Sequence, residues 1–451
     1  MLWIASILAA QAAGAAAVPA AEPPKEQSQD IIVTGERVKR KLRDTPSSVA
    51  VFTGRELDAA PLDRMEQLIA SVPNVIVVSS SQGPSIRGQD STGVLNSLPA
   101  FLGGARPRAT VEIDGRAVGF QEFVFGNAPL WDVKQVEVFR SPLTVTHGRN
   151  SIGGGIVITT NDPTYEWESA GRVIAGDFDT REASAVVSGP IVADQFAFRL
   201  AGDIRHQHAT AKLARVMRGA DPNDDDYSFL RLKLLGEPTA LPGFKILGTF
   251  AHTRSQAPQD VPLLAPLRKR FFPFGGYGIF RVKVDSATLH ASQQFDNGQV
   301  DAVASLGDTH TRRFAPPGEG EARAHLVDKS IEAFGNWKPA DSVTLRGGVH
   351  FLDSNFRQMI DITANFVGSI GNFRDRQDSF GIFGEAEVAL TDRLSMSAGG
   401  RYQHDSQDRE GTLVGRTNAP INFDARFSAL LPKFTTTYAL NPRLKAGLLV
   451  Q

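Results

Sequence analysis

Cysteine is absent from the 451 residues. That excludes disulfides, thiolate metal sites and thiol nucleophiles, and it leaves the cellular compartment open. A basic excess is missing as well, since Lys plus Arg total 48 against 49 for Asp plus Glu, a formal net charge of −1. Without surplus cations to neutralise a phosphate backbone, nucleic acid is not an expected partner. Beyond the first residues, no segment reaches the roughly 18 to 20 uninterrupted apolar residues that a membrane helix needs. A membrane location would therefore require a β-barrel. Catalytic signatures are lacking too: there is no nucleophile elbow, no P-loop and no His-Glu-x-x-His zinc pair. Gly153 to Gly155 opens a strand rather than a helix, so it is no dinucleotide site, and Asp224 to Asp226 reads as a solvated loop. The chain reads as a non-enzyme with neither cofactor nor metal.

What is present begins with an apolar, Ala-rich run, Leu2 to Ala17, broken by Pro19, Pro23 and Pro24. This has the shape of a secretory h-region with cleavage near Ala17 or Ala20, although no Lys or Arg precedes it. Glu22 to Gln29 is polar and Pro-containing, and Ile31-Ile32-Val33-Thr34 then forms a short β-prone run in a flexible arm. Such a run either pairs as an edge strand of its own domain or adds to a partner's sheet.

From Lys39 to about Asp162 helix and strand signals mix. Thr53 and Glu56 have capping-box spacing, and Leu57, Leu62, Met65, Leu68 and Ile69 supply one or two short helices that stop before Pro73. Val75 to Val78, Thr110 to Ile113, Val133 to Phe139 and Ile156 to Thr159 read as strands, separated by turns such as Asp114-Gly115. These elements predict a compact α+β domain.

Beyond about Glu166 the alternation becomes two-fold. In Leu394 to Gln403 the even positions are apolar or small and the odd ones polar or Gly, so one face meets an apolar medium and the other water. Phe196 to Arg205, Val343 to Phe351 and Leu444 to Val450 behave alike. Short turns such as Asp296 to Gly298 alternate with longer polar stretches, Gln207 to Asp226, Thr253 to Tyr277 and Ser354 to Arg374, expected as loops of the opposite rim. Tyr402, Tyr438, Trp337, Phe351 and Phe383 lie near strand ends and are expected in an aromatic girdle. A soluble β-sandwich or propeller is the alternative.

Several segments, in order, resemble the TonB-dependent outer-membrane receptors. Asp30 to Gly35 is similar to the family's TonB box. Leu68-Ile69-Ala70-Ser71-Val72-Pro73-Asn74-Val75 followed by Ser85-Ile86-Arg87-Gly88 resembles its "LLxxxPNV…IRG" segment, and Val111 to Gly115 its "VYVDG" turn. Val136 to Pro142, then His147 to Thr160, follows "VEVLRGP…YGRNxxGGxIxIxT", with Ser141 in place of Gly and His147 in place of Tyr. His147 reads as a satisfied polar residue rather than a metal ligand. Leu390 to Tyr402 resembles the barrel's "LTDRLxLxxGxRY".

The resemblance implies a signal peptide over 1–20, a periplasmic tail with TonB box over 21–38, an N-terminal α+β plug over 39–165 and an antiparallel transmembrane β-barrel over 166–451. The barrel segment has room for about 12 or 13 of the 22 strands of plugged transporters, so a C-terminally incomplete barrel is expected. It further implies uptake of a scarce ligand across the Gram-negative outer membrane, most often a ferric siderophore; cobalamin, haem, a nickel chelate, a carbohydrate, or a truncated module that binds without transporting are the alternatives. The partners implied are TonB with its inner-membrane energising complex, outer-membrane lipid and a small metal chelate. Asp30, Ile31, Ile32, Val33 and Thr34 would pair with TonB by β-augmentation. Arg87, Arg140 and Arg149 are the candidate plug-to-barrel latches, because guanidinium forks suit carboxylates on a polar inner wall.

Overall fold

The computed structural model describes residues 31–37, 40–59, 64–77, 83–90, 107–128, 130–147, 150–213, 219–258, 264–272, 278–365, 367–441 and 444–451. The expected signal peptide, Asp30 of the expected TonB box, and Arg149 lie outside these residues.

The N-terminal domain is built on a five-stranded mixed sheet of β3 (Val49–Thr53), β4 (Ala109–Ile113), β5 (Arg116–Ala117), β6 (Val133–Phe139) and β7 (Gly154–Thr160), in the order β3-β6-β7-β4-β5. β7 runs parallel to β4 and antiparallel to β6. Two-fold alternation along β6 sends Val136 and Val138 to one face, where they meet Leu57 of α1 (Gly54–Ala59) and Met65, Leu68 and Ile69 of α2 (Met65–Ala70). The Glu56 carboxylate accepts both the Thr53 N–H (2.8 Å) and the Thr53 hydroxyl (2.9 Å), which satisfies an orphan donor at the start of α1. Val75–Ile76, Ser85–Ile86 and Gln89–Asp90 form a small separate ribbon. Its last turn holds Arg87 (φ 51°) and Gly88 (φ 76°) in the left-handed region, the geometry of a tight two-residue hairpin. Ahead of all these, β1 (Ile32–Val33) pairs antiparallel with β2 (Arg40–Lys41).

The rest is an antiparallel meander. Its strands are β8 (Glu168–Gly176), β9 (Thr180–Val192), β10 (Phe196–His208), β11 (Asp224–Gly236), β12 (Phe244–Pro258), β13 (Ile279–Phe295), β14 (Gly298–Phe314), β15 (Glu321–Ala340), β16 (Val343–Ile362), β17 (Ser369–Ala389), β18 (Leu394–Gly415), β19 (Phe423–Asn441) and β20 (Leu444–Val450). Each pairs with its sequence neighbours, and a two-residue strand, Ala419–Pro420, adds to β18. The long-strand count agrees with the 12 or 13 expected. Tight turns such as Phe295 to Gly298 and Ala340 to Val343 lie at one rim, and the long connections from His208 to Asp224 and from Pro258 to Ile279 lie at the other.

The strands run further than their apolar patterning suggested. Ser354 to Ile362 and Ser369 to Arg374, expected in a loop, belong to β16 and β17, and Asp224 to Asp226 opens β11 instead of standing as a solvated loop. Pairing continues beyond the apolar band because ladder hydrogen bonds do not require apolar side chains. Register parity also corrects one girdle residue. Trp337, Phe351, Tyr402 and Tyr438 are exposed on the outer face with Leu289, Leu306 and Ile331, whereas Phe383 is buried on the inner face under the Arg401 guanidinium. Its odd number in β17 places it opposite in phase to Phe380 and Ile382.

Ile156, fully buried at the centre of β7, tests the plug core. Ile156→Ala should destabilise that domain by about 2–5 kcal/mol. The check is the denaturant midpoint at which residues 109–160 lose hydrogen-exchange protection.

Candidate functional site

The side of the plug sheet that faces away from α1 and α2 carries the short N-terminal segment. Gln135, Glu137 and Phe139 alternate with the core valines of β6 and so share this second face. Val33 is buried there against Phe139, Leu143 and Val157, while Ile32 on the other side of β1 is partly exposed. Gly35 lies so close to Phe139 that a Cβ would come within 2.5 Å of the ring.

β1 has two hydrogen-bonding edges, filled by different means. One faces β2, and the Leu42 N–H also bonds the Ile31 carbonyl (2.8 Å). The other has no strand beside it among the described residues. There the Gln135 side-chain amide donates to the Ile32 carbonyl (2.9 Å), and Glu137 accepts the Thr34 N–H (2.9 Å), the Thr34 hydroxyl (2.7 Å) and the Gly35 N–H (2.9 Å). Gln135 also donates to Glu137 (2.8 Å), so the two side chains act as one unit. They occupy the positions that backbone groups of an adjacent strand would fill. Burial raises the pKa of Glu137, and the donors from Gly35 and Thr34 only partly offset it.

Just beyond this segment, Arg37 stands in the left-handed region (φ 60°) and reaches both domains of the molecule. It grips Glu112 of β4 through two bonds (2.8 and 2.9 Å) and Glu332 of β15 through two more (3.1 and 2.6 Å). Burial opposes the charge of both Arg37 and Glu112, but the pairing outweighs it, raising the guanidinium and lowering the carboxyl. His147 Nε2 lies 3.3 Å from Glu112 but makes no hydrogen bond there, and its Nδ1 lies 3.1 Å from the Thr146 hydroxyl, so the satisfied polar role expected for it holds at one ring nitrogen only. Close by, Arg40 pairs with Glu387, which Arg346 also holds.

A second junction reverses the charges. Asp132, in the turn before β6, accepts from Arg199 of β10 (2.6 and 2.9 Å), from Arg231 of β11 (2.8 Å) and from Asn161 (2.9 Å). Burial would raise its pKa, but Arg199, Arg231 and Asn161 lower it overall. Lys233 contacts Asp114 (3.4 Å) and Asp162 (3.3 Å), and Arg64 pairs with Asp225. Apolar contact adds to these: Phe125 of α3 (Phe120–Phe125) stacks on Phe280 of β13 with centroids 4.0 Å apart.

Of the expected latches, Arg140 donates to the Pro73 carbonyl within the plug (3.3 Å), and Arg87 is exposed in its ribbon turn. Among the described residues, the ion pairs that do join plug to barrel use Arg37, Arg40, Asp44, Arg64, Asp114, Asp132 and Asp162. No local motif marks them, because their partners lie far away in sequence; Arg37 and Glu332 are 295 positions apart.

Cavities lie on both sides of the plug. One of about 600 Å³ borders Thr34, Gly35, Arg37, Lys338 and Thr344 toward the tight-turn rim. Another of about 160 Å³ lies toward the other rim, between α3 and the wall, lined by Phe120, Gln121, Leu352, Gln358 and Asp375. Residues 91–104 fall outside the described residues, and Phe120–Phe125 forms α3.

Residues 41–155 match the family model "TonB-dependent Receptor Plug Domain", and residues 217–447 match "TonB dependent receptor-like, beta-barrel". Among curated proteins, the chain is 26% identical over 171 residues to the ferrioxamine B receptor of Salmonella typhimurium, covering 36% of this chain and 22% of that one. It is 27% identical over 157 residues to the vitamin B12 transporter BtuB of Photobacterium profundum, covering 34% and 23%. Among solved structures, the ferric yersiniabactin uptake receptor FyuA from Yersinia pestis superposes with a TM-score of 0.72 at 18% identity, covering 88% of this chain and 62% of that one. The alcaligin outer-membrane receptor FauA from Bordetella pertussis gives 0.67 at 13% identity, covering 91% and 63%. The matches thus span under a quarter of those curated relatives and somewhat under two thirds of those structures.

Two outcomes test this site. Glu137→Gln keeps the shape but turns an NH₂ toward the Gly35 N–H, so protection of residues 31–35 should fall by about 1–3 kcal/mol while β6 and β7 stay protected. Hydrogen exchange reads both, and unchanged exchange at 31–35 counts against the clasp. Because the pKa of Asp132 lies below its ordinary 3.8, its anchoring is complete at neutral pH and is lost only as pH falls through that depressed value. Exchange protection at 131–133, taken relative to the intrinsic rate at each pH, should therefore be flat down to about pH 4 and then fall, and Asp132→Asn should remove the transition.

Proposed function

The chain belongs to the TonB-dependent receptor family, and from that membership we propose that it serves energised uptake of a ferric siderophore across the outer membrane, with Ile31 to Thr34 as the segment that TonB engages. The family consists of receptors and transporters, not enzymes, and its barrels belong to the Gram-negative outer membrane.

The observation that carries the reading is the way β1 is held. Its outer edge is closed by Gln135 and Glu137 rather than by a strand. An incoming strand offers the same donors and acceptors from its backbone, so it displaces two side chains without breaking a sheet. The exchange is nearly balanced in hydrogen bonds and thus sensitive to small shifts in the plug. The cavity beside Thr34, Gly35 and Arg37 gives that strand room. On the opposite side, the cavity between α3 and the wall is where a bound ligand would press on α3 and, through Phe125 and Phe280, on the docking of the plug.

Siderophore uptake is favoured because relatives and structural neighbours include receptors for ferrioxamine B, yersiniabactin and alcaligin. Cobalamin is the second reading, supported by the similar identity to a vitamin B12 transporter.

The test is uptake by a receptor-deficient Gram-negative host expressing this chain, supplied with a panel of radio-iron hydroxamate and catecholate siderophores and with labelled cobalamin. At least one ferric siderophore should accumulate in a TonB-dependent manner. Ile32→Pro, which spoils strand pairing on β1, should bring accumulation to background while surface binding persists. Accumulation of cobalamin alone would replace the siderophore reading, and accumulation independent of TonB would overturn both.

A further inference from the structure

Away from the plug and its latches, the rim of long connections brings together a second set of titratable groups. β10 ends in His206-Gln207-His208, and β11 begins with Asp224-Asp225-Asp226. In the ladder between them His206 lies opposite Asp226, Gln207 opposite Asp225 and His208 opposite Asp224. Strand parity divides these six residues. Gln207 donates to the Asp225 carboxylate (3.1 Å) on the inner face, where Arg64 also holds it. The other four project outward, in phase with the exposed Ile204 and Leu230. Two histidines and two aspartates thus make a square at the end of one strand pair, with facing Cβ atoms about 5 Å apart.

Most of the square's donor atoms are unspent. His206 Nδ1 lies 2.6 Å from Asp226, which leaves its Nε2 open. The His208 ring stands edge-on to that of His206, with centroids 5.6 Å apart. Neither the His208 ring nor the Asp224 carboxylate has a hydrogen bond or ion pair among the described residues. One donor atom each from His206, His208 and Asp224 lie within 4.8 Å of one another. A tetrahedral ion needs its ligand atoms roughly 3.3 Å apart, a gap that small rotations of these outward-facing side chains close. The local charge also favours a cation. Asp221 and Asp226 stand close enough to repel the charge of Asp224, and Arg181, opposite His206 on β9, is engaged by Asp179 (2.7 Å). A second set, Asp308, His310 and His325, is as closely spaced, but Lys283 and Arg357 face its histidines and oppose a cation there.

We propose that His206, His208 and Asp224 bind a divalent transition-metal ion such as zinc, with Asp226 positioning the His206 ring and water completing the coordination. Two imidazoles and one carboxylate suit zinc, nickel or copper, whereas calcium and magnesium take oxygen ligands. Asp226 is the carboxylate behind a ligating histidine: by holding Nδ1–H it fixes the tautomer in which Nε2 presents a lone pair. The ion ties the last residue of β10 to the first of β11 and so secures the end of their ladder. It is a resident staple rather than cargo, because the site lies on the outer face of the wall, apart from both cavities beside the plug.

The test uses the full chain recovered from outer membranes in detergent and stripped with chelator, with zinc as ligand, cobalt as spectroscopic probe and calcium as competitor. Zinc should bind in the presence of excess calcium, and cobalt should give the visible absorption of a tetrahedral site. His208→Ala should weaken zinc binding by about a hundredfold, and Asp226→Asn by about tenfold with the tetrahedral cobalt spectrum retained. Asp226→Glu should recover most of the loss, and His310→Ala should change nothing. Zinc should slow hydrogen exchange at 206–208 and 224–226 in the native chain but not in His208→Ala, and heat-modifiable gel mobility establishes that the variants are folded. No zinc binding, displacement by calcium, undiminished binding by His208→Ala, or binding lost with His310→Ala would each overturn the proposal. Unchanged affinity in Asp226→Asn would remove the positioning role.

Discussion

A β-strand sends alternate side chains to opposite faces, and in this molecule the two faces meet incompatible surroundings. The outer face carries an apolar band. The inner face carries Arg199, Arg231, Lys233, Glu332 and Glu385, all buried. Buried charges are tolerable only when paired and hydrogen-bonded. The plug answers most of these wall charges: Asp132 meets two arginines, Arg37 meets Glu332, and Asp114 meets Lys233, while Glu385 is paired within the wall by Arg346 and Lys433. Filling the lumen and neutralising its wall are one requirement, and the plug's position follows from it.

Period and local turn chemistry made much of this legible. Val133 to Phe139 was readable to the residue, and the Thr53-Glu56 box marked the start of α1. The inner and outer parity of the strands holding Phe196 to Arg205, Val343 to Phe351, Leu394 to Gln403 and Leu444 to Val450 followed from alternation. Strand ends were less legible, because above the apolar band both faces turn polar while pairing continues, so Ser354 and Asp224 look like loop residues although they are in strands. The latches were illegible for a different reason. Arg37, Asp132 and Glu332 sit in no local motif, and only the docking of the plug against the meander gives them their partners. Arg87 and Arg140 stand in the more recognisable motifs, but the structure uses the first in a turn and the second within the plug.

The two faces of β6 divide the work of the plug. Val136 and Val138 hold the helices, and Gln135 and Glu137 hold β1. The helices and β1 are thus attached to opposite sides of one strand, and the apolar cluster under the helices includes no residue of β1.

The geometry of β1 and β2 also determines how a pull on the N-terminal arm would travel. The hairpin is loaded at its open end, so its few bonds would break in succession at low force rather than together in shear. Tension would then reach Arg37, whose two-sided grip makes it the first real resistance. Past it lies β3, which sits at the edge of the plug sheet and is paired on one side only. The parallel partners β4 and β7 are further along this load path, and the wall shares it only through the Arg37–Glu332 and Arg40–Glu387 pairs. The chain is thereby ordered like a seam that opens from one end, in which the weakest stitches come first.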